Sequence, residues 1–277
     1  MLSDAAEQER DKVVRGLAMG VALAVYGQQE HADVLIEQML SSTDSRLRYG
    51  GCFAMAMAYA CTSSNDVVQK LLGIAVSDLN NDVRRGAVVS LGFVLGDQPE
   101  QVPVVVKLLA ESFNPYVRYG TAMALGIACA GTGSMAALKL LEPLRKDRED
   151  YVKQGAFIAT AMVLLQHNDA APLDKEGKPI RQNFHDECVK FAGDQRADNM
   201  TRFGAVLSLG ILNAGGRNCS ISMMAPGSRR MAAIAGLALF AQYWYWYPLL
   251  PFLSVLYPDI AACVCVCVCV CVCMCVC

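Results

Sequence analysis

The chain carries little charge and few side chains suited to catalysis. Only 18% of its 277 residues are charged and 54% are apolar, whereas soluble domains usually contain about 25% charged residues. A formal net charge of −2 gives no basic field for nucleic acid. The three histidines, His31, His167 and His185, occupy unrelated positions and none precedes a Glu. We therefore predict no catalytic residue, no metal site, no cofactor and no nucleic-acid partner.

Cysteine is plentiful but lacks the spacing of a functional site. No pair has the Cys-x-x-Cys spacing of zinc sites and redox motifs. Several of the scattered cysteines lie in apolar helical runs, where a free cysteine behaves as a small hydrophobe. These scattered cysteines are Cys52, Cys61, Cys129, Cys188 and Cys219. The residues after Met1 turn charged at once, which predicts that no secretory signal peptide is present.

Residues 263–277 alternate Cys and Val, with one break at Met274. A strand with every thiol on one face would give this pattern, and so would the Cys-x-Cys spacing of metallothionein-like metal binders. A TG dinucleotide repeat in DNA also translates as Cys-Val in any frame, and ATG differs from GTG by one base. We interpret residues 261–277 as a translated microsatellite outside the folded domain.

A short sequence pattern, the repeat phrase, recurs six times along the chain, each time around a glycine. A cation lies two residues before five of these glycines. The glycines are 34, 36, 34, 35 and 49 residues apart, and a period near 35 residues indicates a repeat array. The repeat glycines are Gly16, Gly50, Gly86, Gly120, Gly155 and Gly204. The repeat cations are Arg48, Arg84, Arg118, Lys153 and Arg202.

Each repeat is predicted to form two helices, the first of which holds the glycine. A potential N-cap residue lies six positions before the glycine in five repeats: Asp44, Asn80, Asn114, Glu149 and Asp198. The first helix is apolar nearly all round, so it must be buried on most sides. A glycine inside a helix costs about 1 kcal/mol relative to alanine, and its recurrence indicates closely packed backbones. We expect each repeat cation to meet an acid or a helix C-terminus of its neighbour.

The second helices are more amphipathic and are predicted near residues 31–40, 65–76, 100–111 and 134–144. Gly131-Thr132-Gly133-Ser134 opens one of them and could cradle a phosphate. It lacks the Gly-Lys-Ser/Thr ending of a P-loop, and neighbouring repeats also turn there, so a structural turn is favoured. Residues 167–181 form a polar insertion, followed by a helix near residues 182–191. The fold class is therefore an all-α solenoid of helix pairs over residues 1–260.

The segment 231–257 contains no charged residue and is long enough to span a membrane. Its aromatic residues cluster in the middle rather than at both ends, where membrane interfaces would place them. Pro248 and Pro251 would also break a helix near its centre. We interpret the segment as a buried closing element of the array and expect no membrane partner.

The run Val117-Arg118-Tyr119-Gly120, continued by Thr121–Gly126, resembles the proteasome/cyclosome repeat. Three further runs are similar to the larger of that family's two proteasomal scaffold subunits. They are Arg48–Gly51 with Ala56–Tyr59, Ala130–Gly133, and Phe240–Pro248, the last with Tyr where the family has Phe.

This resemblance implies a closed ring of helix pairs and a non-catalytic scaffold of the proteasome regulatory particle. It implies ATPase-ring, lid and ubiquitin-handling partners, a cytoplasmic and nuclear location, and no enzymatic activity. The family member also has an N-terminal helical rod and a C-terminal extension, so we expect this chain to be part of a larger scaffold. A cyclosome-like repeat adaptor and a membrane protein anchored by residues 231–257 are the alternatives.

Overall fold

The computed structural model describes residues 2–166, 179–214 and 221–256. This part of the chain is almost wholly helical, with one hairpin of two-residue strands, β1 (Met224–Ala225) and β2 (Ser228–Arg229). The predicted all-α class is therefore confirmed. The helices are α1 (Leu2–Ala24), α2 (Asp33–Leu40), α3 (Ser45–Ala58), α4 (Asn65–Ser77), α5 (Asn81–Val94), α6 (Val102–Ala110), α7 (Pro115–Ala128), α8 (Met135–Arg145), α9 (Asp150–Val163), α10 (Ile180–Gly193), α11 (Asn199–Asn213) and α12 (Met231–Phe240).

The helices form two layers with a regular order. The first layer contains α1, α3, α5, α7, α9 and α11, which pack side by side in chain order. The second layer contains α2, α4, α6, α8 and α10, each packed on the first-layer helix that follows it. The first-layer helices after α1 are buried around nearly their whole circumference, as their continuous apolar sequences require, whereas α1 at the start of the array is largely exposed. The array is an α-solenoid of helix pairs.

The first-layer helices begin at the residues that the sequence marks as caps. The side chains of Asp44, Asn80, Asn114 and Asp198 each accept a hydrogen bond from the backbone N–H two residues later. This geometry satisfies one of the open donors of a first helical turn. Glu149 also precedes its helix, but its longer side chain makes no capping hydrogen bond.

The turn at Gly131 and Gly133 joins neighbouring repeats. Both glycines have positive φ angles, 69° and 59°, which glycine adopts without steric cost. Their N–H groups donate to the carbonyl oxygens of Met162 and Val163 at 2.8 and 3.0 Å. The donors that a phosphate would need are therefore already used, and the interpretation as a structural turn is confirmed.

The described cysteines behave as hydrophobic core residues. Cys52, Cys61, Cys129 and Cys188 are free thiols and all are buried. Burial raises the pKa of Cys52 to about 12 and that of Cys61 to about 11. These thiols therefore stay protonated at neutral pH, as expected of packing residues. Cys219 lies outside the described residues.

The boundaries of the insertion and of the tail fall partly outside the described residues. Helix α10 begins at Ile180, so the last two residues of the predicted insertion 167–181 are helical. Residues 167–178 and the Cys-Val tail, 261–277, lie outside the described part of the chain.

After α11 the chain returns across the first layer. The side chain of Met223, just before β1, lies against Gly96, two residues after the end of α5. Helix α12 is entirely apolar and mostly buried, and two 3₁₀ segments, Ala241–Trp244 and Tyr247–Leu256, follow it. Among the described residues, no helix has both the length and the apolar character needed to cross a bilayer. We call residues 240–247 the aromatic segment.

Candidate functional site

The repeat glycines lie where first-layer helices approach most closely. A Cβ added at Gly50 would lie 2.5 Å from the Cβ of Ala18, on the preceding first-layer helix. At Gly86 and Gly155 it would lie 2.7 Å from the rings of Tyr49 and Tyr119, again on the preceding helix. Gly120 and Gly204 contact the preceding helix in the same way. Real Cβ atoms do not tolerate such distances, so these positions require glycine or a local shift.

A second set of glycines, six residues further on, packs in the opposite direction. A Cβ at Gly92 would lie 2.8 Å from the carbonyl oxygen of Ala124, on the following helix α7. A Cβ at Gly126 would lie 2.8 Å from the Cα of Ala159 on α9. Helix α7 therefore contacts α5 through Gly120 and α9 through Gly126. Two glycines per helix allow close contact on both sides.

Gly16 departs from the expected packing. A Cβ at this position would meet no atom within 4 Å, and the residue is exposed. The reason is positional, because no described helix precedes α1 in the first layer. The repeat phrase at Gly16 is present without the close contact that the other repeat glycines make.

Two of the repeat cations have the same set of partners. Arg118 donates to both carboxylate oxygens of Asp147 at 2.7 and 2.9 Å, and to the carbonyl oxygens of Ser112 and Phe113. Arg48 repeats this pattern with Asp78 at 2.9 and 3.2 Å and with two carbonyl oxygens of its own repeat. Each arginine thereby ties the start of its own helix to the loop after the next second-layer helix.

The other three repeat cations differ because the matching aspartate is missing. Arg84 donates to the backbone carbonyl oxygen of Asp78. Lys153 pairs at 2.7 Å with Asp150 of its own helix. The Nε of Arg202 is buried without a hydrogen-bond partner. Three of the five cations, Arg48, Arg84 and Arg118, therefore meet an acid or a helix C-terminus of a neighbour as expected, and only Arg48 and Arg118 form the aspartate pair.

The Arg118–Asp147 pair predicts a pH-dependent contribution to stability. Burial alone would disfavour the carboxylate, but the hydrogen bonds from Arg118 hold the pKa of Asp147 below its ordinary value. This contribution is fully present above the unfolded-state pKa and is lost as the pH falls through the lower, folded-state pKa. Replacing Asp147 with Asn should therefore cost about 2 kcal/mol at pH 7. Urea unfolding at neutral and acid pH should show that cost shrinking below about pH 4.

The matched control is Asp150→Asn. Asp150 lies three residues along the chain and pairs with Lys153, but its side chain is 41% exposed. An exposed pair contributes little, so the expected cost is about 0.5 kcal/mol or less. Equal costs for the two substitutions at pH 7 would contradict the role given to Asp147.

Sequence reasoning missed the position immediately before each repeat glycine. These six residues lie one per first-layer helix, on the side that meets the aromatic segment or the neighbouring repeat. They are Arg15, Tyr49, Arg85, Tyr119, Gln154 and Phe203. The spacing that identified the glycines also identifies this row, and its large polar and aromatic residues were the available signal.

Three hydrogen bonds join this row to the aromatic segment. The hydroxyl of Tyr49 donates to Oε1 of Gln242 at 2.9 Å, across 193 residues of sequence. The hydroxyl groups of Tyr119 and Tyr243 are hydrogen-bonded at 2.8 Å. Nη2 of Arg85 donates to the hydroxyl of Tyr245 at 2.8 Å. Three consecutive first-layer helices are thus tied to one short segment.

Cation–aromatic contacts reinforce these hydrogen bonds. The guanidinium of Arg85 lies 4.1 Å from the ring of Trp244 and 5.1 Å from that of Tyr245. The guanidinium of Arg15 also contacts the ring of Tyr245, at 4.1 Å. Such contacts are worth about 2 kcal/mol when they are shielded from water. Arg85 is only 2% exposed, which places it in that class.

The indole of Trp244 and the ring of Tyr247 extend the contact to further repeats. The ring of Trp244 lies 4.7 Å from Tyr119 of α7 and 5.4 Å from Tyr151 of α9. Tyr247 meets Phe203 of α11 at 5.7 Å. The aromatic segment therefore contacts every first-layer helix from α1 to α11.

The site holds its phenols neutral. Burial raises the pKa of Tyr119 to about 12 and raises that of Tyr243 well above its ordinary value. The hydroxyl groups therefore remain hydrogen-bond donors through the physiological range. Among the described residues, no group of three His, Cys, Asp or Glu side chains is arranged to hold a metal ion. The arrangement fastens the array together and presents no reacting group to solvent.

The architecture is that of a helical repeat protein, and the HEAT repeat family model matches residues 68–161. Two curated relatives are 26S proteasome non-ATPase regulatory subunit 1 homolog A of Arabidopsis thaliana, 48% identical over 94% of this chain, and subunit 1 of Dictyostelium discoideum, 49% identical over 92%. The regulatory subunit rpn2 of Schizosaccharomyces pombe is 47% identical over 94%.

The chain is homologous to one segment of these proteasome regulatory subunits. It spans 26% of the length of each of these three relatives. The resemblance to the larger proteasomal scaffold subunit, found from the repeat phrase and the aromatic run, is confirmed.

Proposed function

We propose that the chain serves as a non-catalytic scaffold in the proteasome regulatory particle and supports ubiquitin-dependent protein degradation. The observation that carries the proposal is a sequence identity of 48% and 49%, over 94% and 92% of the chain, to two proteins named as non-ATPase regulatory subunits of the 26S proteasome. Its partners would be the ATPase ring, the lid and ubiquitin-handling factors, and its location cytoplasmic and nuclear. Residues 1–260 would form one repeat array within a closed ring, with 231–257 as its closing element.

The surface of the array suits a scaffold. Phe113 and Leu79 occupy equivalent loop positions in consecutive repeats and are 100% and 95% exposed. Val104 and Leu108, on the outer face of α6, are also largely exposed. Large apolar side chains grouped on a surface typically mark protein–protein contacts. The buried interior holds the repeats in fixed relation, so that such surfaces keep their spacing.

Affinity purification tests this proposal. The chain, tagged and expressed in eukaryotic cells, should co-purify with proteasomal ATPases and lid subunits in the presence of ATP. A cyclosome-like adaptor would instead co-purify with cyclosome subunits. Recovery of neither ATPases nor lid subunits, under conditions where a tagged full-length relative recovers both, would refute the scaffold assignment.

A matched pair of variants makes the test specific to the array. Gly126→Val places a branched side chain against the backbone of Ala159 and should abolish co-purification by distorting the stack. Gly193→Val adds the same atoms where no neighbour lies within 4 Å and should leave it unchanged. Loss of co-purification in both variants would mean that the glycine contact is not the cause.

A further inference from the structure

A groove of about 880 Å³ opens between the second-layer helices α2 and α4. Its floor is formed by Met55 of α3 and by Tyr59, which directly follows that helix. Further along the array, the second-layer helices α6 and α8 pack directly on each other. Helices α2 and α4 do not pack on each other in this way, and the groove is the opening between them.

The interior of the groove is apolar and unfilled. Ile36 and Leu40 line it from α2, and Val67 and Ile74 line it from α4. Gly73 also belongs to the α4 wall, and a Cβ there would meet no atom within 4 Å. Because α4 has 13 residues, the groove runs beside about 20 Å of helix. That length matches about three to four turns of another helix.

The rim of the groove is strongly acidic. Four of the residues that line the groove carry carboxylates: Glu30, Asp33, Glu37 and Asp66. Lys70 is the only cation among the lining residues. Asp33 accepts a hydrogen bond of 2.8 Å from the hydroxyl of Tyr59. Glu30, Glu37 and Asp66 are exposed and take part in none of the salt bridges of the described residues.

Glu30 lies in the 3₁₀ turn Gln29–Ala32 that leads into α2, and Asp33 and Glu37 lie on α2, so the three acids are spaced three and four residues apart. Residues three and four apart share one side of a helix, so these acids form a row along the groove. A row of carboxylates without salt-bridge partners in the described structure, above an apolar floor, matches a helix with basic and apolar positions at the same spacing. Charge complementarity of this kind speeds encounter and fixes the orientation of a bound segment.

We propose that this acidic groove docks a basic amphipathic helix of a partner protein. Apolar side chains of that helix would fill the space beside Gly73 and Met55, and its Lys or Arg side chains would pair with Glu37 and Asp66. The inference deepens the proposed scaffold function and rests on it, since it names one surface and the chemistry of its partner. A metal ion does not fit the same acids, because no three of them within the described residues are grouped to hold one.

The test uses the full chain and a fluorescein-labelled Leu/Lys amphipathic peptide of about 14 residues, long enough for about four helical turns. Fluorescence anisotropy should show saturable binding that weakens as salt rises, because paired surface charges are screened. A peptide with Glu in place of every Lys should not bind. Glu37→Lys combined with Asp66→Lys should weaken binding of the basic peptide about tenfold or more.

The matched control is Glu100→Lys combined with Glu111→Lys. Both residues are exposed and lie outside the groove, so this variant changes net charge by the same amount. It should weaken binding by about twofold at most. Equal weakening by the two double variants would show that the peptide responds only to overall charge, and would overturn the proposal.

A steric variant separates the groove from its charges. Gly73→Trp fills the open wall without changing charge and should abolish binding, whereas Gly73→Ala should retain it. Peptide binding to Gly73→Trp as tight as to the original chain would also overturn the proposal.

The outcomes distinguish this inference from the scaffold assignment. Co-purification with the ATPases, together with no peptide binding, would refute the groove alone. Specific peptide binding without co-purification would refute the scaffold assignment while leaving the groove as a binding surface.

Discussion

Replacing Gly92 with alanine should lower the free energy of unfolding by about 3 kcal/mol, although alanine is the better helix former. The new Cβ would lie 2.8 Å from the carbonyl oxygen of Ala124 and 2.9 Å from its Cα. Both atoms belong to the backbone of α7, so no side chain can rotate away and the two helices must separate. Overpacking of this kind commonly costs about 1–3 kcal/mol, and more where backbone must move.

The matched control is Gly73→Ala, which should change the free energy of unfolding in the opposite direction. Gly73 lies inside α4, and a Cβ there meets nothing within 4 Å. Alanine at this position should raise the free energy of unfolding by about 0.5–1 kcal/mol, because only helix propensity changes. Urea unfolding of the two variants measures both values. The same sign at both positions would show that helix packing does not decide which glycines are required.

Replacing Arg85 with leucine should cost about 3 kcal/mol, the second large effect that the structure predicts. The substitution removes a buried cation–aromatic contact worth about 2 kcal/mol and a hydrogen bond worth about 1 kcal/mol. It also leaves the hydroxyl of Tyr245 without the donor that now lies 2.8 Å away. Thermal and urea unfolding of the variant measure the loss.

A double-mutant cycle of Arg85→Leu with Trp244→Ala isolates the contact between these two residues. Their separation of 4.1 Å from guanidinium carbon to ring centre predicts a coupling energy of about 1–2 kcal/mol. Tyr243→Phe is the milder control, since it removes only the hydroxyl partner of Tyr119 and should cost about 1 kcal/mol. Additive effects of the Arg85 and Trp244 substitutions would contradict a role for Arg85 in fastening the aromatic segment.

Much of the fold could be predicted from the sequence because its signals are local. The first-layer helices start at Asp44, Asn80, Asn114 and Asp198 because an N-cap and its helix lie within three residues of each other. The turn at Gly131–Gly133 follows in the same way from glycine's access to positive φ. The period near 35 residues then repeats these local solutions along the chain.

The candidate site was only partly predictable, because its contacts join residues far apart in sequence. The glycine phrase showed that a close packing position exists, but not that Gly16 has no neighbour in the described structure. It also marked five equivalent cations, although only Arg48 and Arg118 find an aspartate about 30 residues later. Whether a cation has a partner depends on the loop of another helix pair, which the phrase itself does not contain.

The sequence by itself determined the helix pairs with their caps and turns, since each depends on residues within one repeat, and the likeness to a proteasomal scaffold subunit, since that depends on short runs of residues along the chain. Only the tertiary structure decided that the residue before five of the six repeat glycines, rather than the cation before that, meets the aromatic segment. Tyr49 and Gln242 are separated by 193 residues and come together only when the chain folds back across the first layer. The groove between α2 and α4 likewise exists only because two second-layer helices stand apart, a spacing set by the packing of whole repeats.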